Sequence, residues 1–74
     1  MITIGIDVSA KTLDVCMLLP AGKNKHRKFD NDRSGHTKLL EWIDSTDPVI
    51  ALEATGVYYL DLAFALARAG KRLM

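Results

Sequence analysis

Residues 1–7 alternate strictly, with Ile2, Ile4 and Ile6 on one side and Thr3, Gly5 and Asp7 on the other. A period of two in a β-branched run predicts a strand with one buried face. Residues 8–11 read as a reversal. Residues 12–19 read as a second strand, in which Leu13, Val15, Met17 and Leu19 alternate with Thr12, Asp14, Cys16 and Leu18. Both faces of its far end are apolar, which predicts cover on both sides there. Residues 20–24 carry turn chemistry, because Pro20 fixes φ and Gly22 permits a positive one. Residues 25–29 are polar and basic, as suits an edge strand whose charges discourage pairing with other chains.

The spacing then turns helical. Ser34 is a good N-cap, and Asn31 or Asp32 would also serve. Leu39, Leu40 and Ile43, with Trp42 beside them, form an apolar stripe that reads as core. Residues 45–48 break the pattern, and residues 49–53 predict a short apolar strand ending in a carboxylate. A second helix opens at Ala54 or Thr55, with Leu60, Ala63, Phe64 and Ala67, joined by Val57, on one face. Gly70 stops it.

The order is β-β-β-α-β-α, followed by a stub at Arg72 that starts a fifth strand. Short turns make the first three strands an antiparallel meander. A strand reached through a helix lies parallel to the first by a right-handed crossover. The expected fold is therefore α/β, a mixed sheet in the order 3-2-1-4 with helices packed on it and a truncated fifth strand outside strand four.

Composition narrows the function. The chain has 74 residues, 49% hydrophobic and 26% charged, enough for one domain that buries about 60% of its unfolded surface. Ten basic and nine acidic side chains give a net charge of +1, which excludes a polybasic tail or an acidic disordered segment. The single cysteine, Cys16, excludes an internal disulfide or a multi-cysteine zinc site, and it reads as a buried small side chain rather than a nucleophile. His26 and His36 lack metal-ligand spacing. No apolar stretch is long enough to span a bilayer and no basic leader opens the chain, so the expectation is a cytoplasmic protein without a membrane partner.

Asp7 closes the first strand and Glu53 the fourth. If those strands are parallel neighbours, about 4.8 Å apart, both carboxylates meet at the sheet edge where α/β proteins place ligands. Two adjacent carboxylates suit Mg²⁺, or Mn²⁺, a hard cation that keeps waters or phosphate oxygens and supports phosphoryl transfer. The same residues also serve as a turn former and as an anion at a helix start. Thr55 and Gly56 would meet a phosphate at a helix start or simply cap the helix. Tyr58 and Tyr59 would stack on a base or contact phosphate, although one of the pair should pack on the sheet. Ser9 and Lys11, in the reversal after Asp7, join them as candidate nucleic-acid contacts. Lys23, Lys25, His26, Arg27 and Lys28 form the basic cluster, a solvated edge that a phosphate backbone would also accept.

The run Ile4-Gly5-Ile6-Asp7-Val8-Ser9, continued by Lys11-Thr12-Leu13-Asp14-Val15, resembles the opening of the DEDD transposases of bacterial insertion sequences. These are RuvC-like enzymes related to the Piv and MooV DNA invertases. Ala51-Leu52-Glu53-Ala54-Thr55-Gly56-Val57-Tyr58, with Leu62, Leu66, Ala69 and Gly70, resembles a second block of that family. Phe29-Asp30-Asn31, Gly35 and Leu39-Leu40 fit the spacing between the two blocks.

The resemblance implies an RNase H-like catalytic domain with Asp7 and Glu53 as its first two acidic residues. It also implies Mg²⁺-dependent cutting and joining of DNA, with element ends and target as partners. In several members a structured noncoding guide RNA takes part. The family's other two acidic residues lie downstream, and neither Asp14, inside a strand, nor Asp61, on a helix, substitutes for them. The family's separate C-terminal domain, with its serine, has no counterpart here. Residues 1–74 are thus expected to form the N-terminal part of a transposase catalytic domain, inactive alone and self-associating through an exposed sheet edge. Two other readings stand beside this one: a fragment of an actin-like or sugar-kinase-type ATPase, which would usually have Gly in place of Ser9, and a noncatalytic interaction domain with structural carboxylates.

Overall fold

Alternation in the first thirty residues builds three strands, and a crossover through a helix adds the rest of the sheet. The computed structural model describes residues 2–43, 48–54 and 58–73. Strands β1 (Thr3–Val8), β2 (Thr12–Leu18) and β3 (Asn24–Asp30) form the meander, and helix α1 (Arg33–Trp42) leads to β4 (Val49–Ala54). Helix α2 (Leu60–Arg68) then returns to a two-residue β5 (Arg72–Leu73). The sheet order is β3-β2-β1-β4-β5, antiparallel from β3 to β1 and parallel from β1 to β5. This is the mixed sheet that the chain order requires.

One face of the sheet is apolar across β1, β2 and β4 and at Phe29 in β3. Ile4, Ile6 and Val8 of β1, Leu13, Val15 and Met17 of β2, Phe29 of β3 and Ile50 of β4 are buried there. Leu39 and Ile43, at the end of α1, and Leu62 and Leu66 of α2 close over them in one cluster. Among the described residues, both helices therefore cover the same face. The other face carries Thr3, Gly5 and Asp7 in β1 and Thr12, Asp14, Cys16 and Leu18 in β2, all partly or fully exposed.

Three local features set α1. Asp32 is its N-cap, accepting a hydrogen bond from the Gly35 amide at 2.7 Å, so the cap lies two residues before Ser34. Gly35 packs directly on the β3 end: a Cβ there would stand 2.6 Å from the Asp30 carbonyl carbon. Trp42 lies against Phe29 with ring centroids 5.8 Å apart, and Arg27 stacks on the same Phe29 ring. The rest of β3, from Asn24 to Lys28, is exposed, as the edge assignment predicts.

The structure corrects the second helix. Residues 58 and 59 form a turn, Tyr59 is the N-cap and α2 begins at Leu60; Ala54, one expected opening, is instead the last residue of β4, and Thr55, the other, lies outside the described residues. Its buried positions are Leu62 and Leu66, whereas Phe64 is 63% exposed and Leu60 42%. Both pairs fit a helical spacing of four, so periodicity alone did not say which stripe faces the sheet. Phe64 instead lines a groove between the helices with His36, Leu40 and Arg68. Leu18 is also exposed, at 45%, so the far end of β2 is uncovered on that face. Gly70 ends α2 with φ +75°. Its amide donates to the Ala67 carbonyl and that of Lys71 to the Leu66 carbonyl, each at 3.0 Å, which is a Schellman motif.

Candidate metal site at the carboxyl ends of the strands

The parallel pairing of β1 and β4 sets Asp7 opposite Glu53. Both side chains lie on the uncovered face, because Ile6, Val8 and the rest of the buried set occupy alternate positions. Both are exposed. Two hard oxygen donors on neighbouring strands fit Mg²⁺ or Mn²⁺, which binds through one or two carboxylates and fills its other positions with water and phosphate oxygens. Among the described residues, no group of three or more Asp, Glu, His or Cys side chains is arranged to hold a metal. Asp7 and Glu53 are a pair of carboxylates made neighbours by the strand register.

The antiparallel register adds a residue that strand assignment by itself passed over. Asp14 stands opposite Asp7, and Lys28 opposite Asp14. A row Glu53, Asp7, Asp14, Lys28 therefore crosses four strands on one face. Like charges directly opposite are unfavourable. Lys28 approaches Asp14 at 3.7 Å and offsets part of that repulsion, although both groups are well exposed. The signal was present in the sequence as the reversal between residues 8 and 12, whose length sets this register.

The loops beyond the two carboxylates are joined by one side chain. Asn31 Nδ2 donates to the Ser9 carbonyl at 2.8 Å and to the Tyr58 carbonyl at 3.1 Å. The Asn31 backbone N–H donates to the Lys11 carbonyl at 2.8 Å. With both amide hydrogens committed to carbonyls, Asn31 Oδ1 faces His36 Nε2 at 2.8 Å, so that nitrogen carries the donated proton. His36 is 6% exposed. Burial holds its pKa below the ordinary 6.5, against the opposing pull of Asp32 and then Asp61. Sequence spacing gave His36 no role, because its partner is set by the packing of α1 on β3.

The candidate nucleic-acid contacts divide. Lys11 and Tyr58 are exposed. The Ser9 hydroxyl is engaged within its own turn, 3.0 Å from the Thr12 carbonyl and 2.9 Å from the Thr12 hydroxyl. Thr55 and Gly56 lie outside the described residues.

Comparison with known proteins agrees with this architecture. The family of IS110-type DEDD transposases matches residues 4–74. Among solved structures, RuvC of Thermus thermophilus superposes with a TM-score of 0.65 at 16% identity, covering 99% of this chain and 61% of that one. T. thermophilus RuvC in complex with a Holliday junction substrate superposes with a TM-score of 0.61 at 17% identity, covering 99% and 62%. At such identities the likeness establishes the fold, which is RuvC-like and RNase H-like. The chain spans about three fifths of the length of those structures. No curated protein sequence matches it.

Proposed function

This chain belongs to the IS110-type DEDD transposase family, and on that premise we propose that it is the N-terminal part of a catalytic domain that cuts and joins DNA. Asp7 and Glu53 bind the metal ion through their carboxylate oxygens. The observation that carries this reading is the parallel register that makes them neighbours at the carboxyl ends of β1 and β4. When bound, Mg²⁺ supplies activation of an attacking water or hydroxyl and neutralises charge on the phosphoryl oxygens.

The chain's own residues hold and orient. Rigid neighbouring strands keep the two carboxylates side by side, so little ordering is needed when a cation arrives. Lys11 and Tyr58 follow them in the chain and are exposed, a positive charge and an aromatic ring of the kind that meets phosphate and base. Asn24, His26 and Lys28 of β3 lie on the same face, with Lys28 ending the acidic row beside Asp14. DNA is the proposed partner. The family match favours this reading over the ATPase and noncatalytic alternatives, and the RuvC likeness agrees with it.

Titration of the isotopically labelled chain with Mn²⁺ tests the site. Paramagnetic broadening should centre on the amides of Asp7 and Glu53 and disappear in both Asp7→Asn and Glu53→Gln. Broadening centred on Asp32 and Asp61 instead would sink the assignment. Two carboxylates alone should leave the chain unable to cleave DNA with Mg²⁺; cleavage abolished by Asp7→Ala would overturn that expectation. A gel shift with duplex DNA and with a structured RNA as competitor distinguishes DNA from a guide RNA as the ligand of these residues.

A further inference from the structure

We propose that Asn31 is a positioning residue that clamps together the loops following the two metal-binding carboxylates, with His36 fixing its orientation. The inference rests on the reading of Asp7 and Glu53 given above. Ser9 lies two residues beyond Asp7, and Tyr58 five beyond Glu53. Those two loops come from different parts of the chain, and Asn31 Nδ2 bonds to a carbonyl in each. The backbone bond from Asn31 to Lys11 fixes the first loop a second time.

The chemistry selects asparagine. The side chain needs two N–H donors for two carbonyls and one acceptor for the His36 ring, and a primary amide supplies all three from one planar group. Aspartate has the same shape and none of the donors. It would set a carboxylate oxygen against two carbonyl oxygens. His36 is the orienting partner: its donated Nε2 hydrogen holds Oδ1 on one side, so Nδ2 remains on the other. His36 in turn is placed by Gly35, whose missing side chain lets α1 sit on the Asp30 backbone. A run of contacts thus links the end of β3 to the reversal after β1 and to the turn before α2, and the acceptors are backbone atoms, independent of the side chains at positions 9 and 58.

Two measurements on the 74-residue chain test the clamp in Asn31→Asp. The first is amide exchange at Ser9 N–H, which bonds to the Thr12 carbonyl, and Ala63 N–H, which bonds to the Tyr59 carbonyl. Both should exchange about tenfold faster together, while the slowest amides of β1 and β2 change by less than about threefold. The second is Mn²⁺ affinity at Asp7 and Glu53, which should fall about tenfold, in the range seen when groups supporting metal ligands are removed. Unchanged exchange, or acceleration in one loop only, overturns the clamp, as does unchanged Mn²⁺ affinity when the native chain binds the ion. If the native chain binds no Mn²⁺, the two-carboxylate reading fails, and exchange alone still decides the clamp. If Asn31→Asp does not fold, His36→Phe, which keeps an aromatic ring and removes the orienting donor, should show the same paired loosening to a smaller degree. Its absence there counts equally against the proposal, and His36→Gln, which retains a donor, should restore native exchange.

Discussion

Gly35→Ala is the substitution whose cost can be worked most directly from the structure. A Cβ at residue 35 would lie 2.6 Å from the Asp30 carbonyl carbon and 3.0 Å from its nitrogen, with the carbonyl oxygen closer still. These are backbone atoms in a paired strand and cannot swing aside as a flexible side-chain end would. Either α1 lifts off β3 or the β3 end gives way. Overpacking of this kind costs roughly 1–3 kcal/mol, and a rigid neighbour argues for the upper end. Movement of α1 also strains the bond from the Gly35 amide to Asp32, a cap worth about 1 kcal/mol. Alanine's better helix propensity returns about 1 kcal/mol. The net loss is about 3 kcal/mol, against a total stability on the order of 4–11 kcal/mol for a chain of this length.

Urea unfolding followed by Trp42 fluorescence reads this loss where it occurs, since Trp42 lies on α1 and packs against Phe29. In thermal unfolding the midpoint should drop by about 12–24 °C. Gly5→Ala is the matched control: a Cβ there meets nothing within 4 Å, so its stability should stay within about 0.5 kcal/mol of the parent. A Gly35→Ala chain as stable as the parent, or a Gly5→Ala chain equally damaged, would refute the argument that close backbone approach dictates glycine at 35.

Three other outcomes follow from named features. The lowered pKa of His36 means that the unfolded chain binds the extra proton first as pH falls below 6.5. Stability is therefore full above that pH, declines below it, and levels off once the native ring is protonated; Asp32, Asp61 and the neighbouring Arg33 face the same groove. Urea midpoints across pH 5–8 should slope accordingly, and His36→Phe should remove that part of the slope. Gly70→Ala places a side chain at φ +75° and should destabilise by about 1 kcal/mol in the same unfolding assay, with little change expected at Ala69→Ser. The exposed apolar residues Leu18, Leu60, Phe64 and Leu73, with the short edge strand β5, favour self-association. Sedimentation velocity should show a concentration-dependent shift that Phe64→Ser reduces; a strict monomer at all concentrations speaks against it.

Much of the architecture is written in local pattern. Strict alternation in β1 and β2 required two strands with one buried face, and their short connection required antiparallel pairing. The helix before β4 pointed to a parallel return beside β1, and the pairing of those strands sets Asp7 beside Glu53. Those inferences succeed because pleat and turn length are properties of a few consecutive residues. Helix α2 shows where that reach ends. The Leu62 and Leu66 stripe and the Leu60 and Phe64 stripe have the same spacing, and only the sheet beneath decides which is buried. The Asn31 network has the same origin: its two acceptors are backbone carbonyls, which leave no trace in side-chain identity, brought together from residues 9 and 58 by the closing of the sheet. The sequence by itself determined the strands, their order and the two carboxylates. The packing of α1 on β3 decided what holds those carboxylates' loops together, because a hydrogen bond between distant segments exists only once the chain has folded.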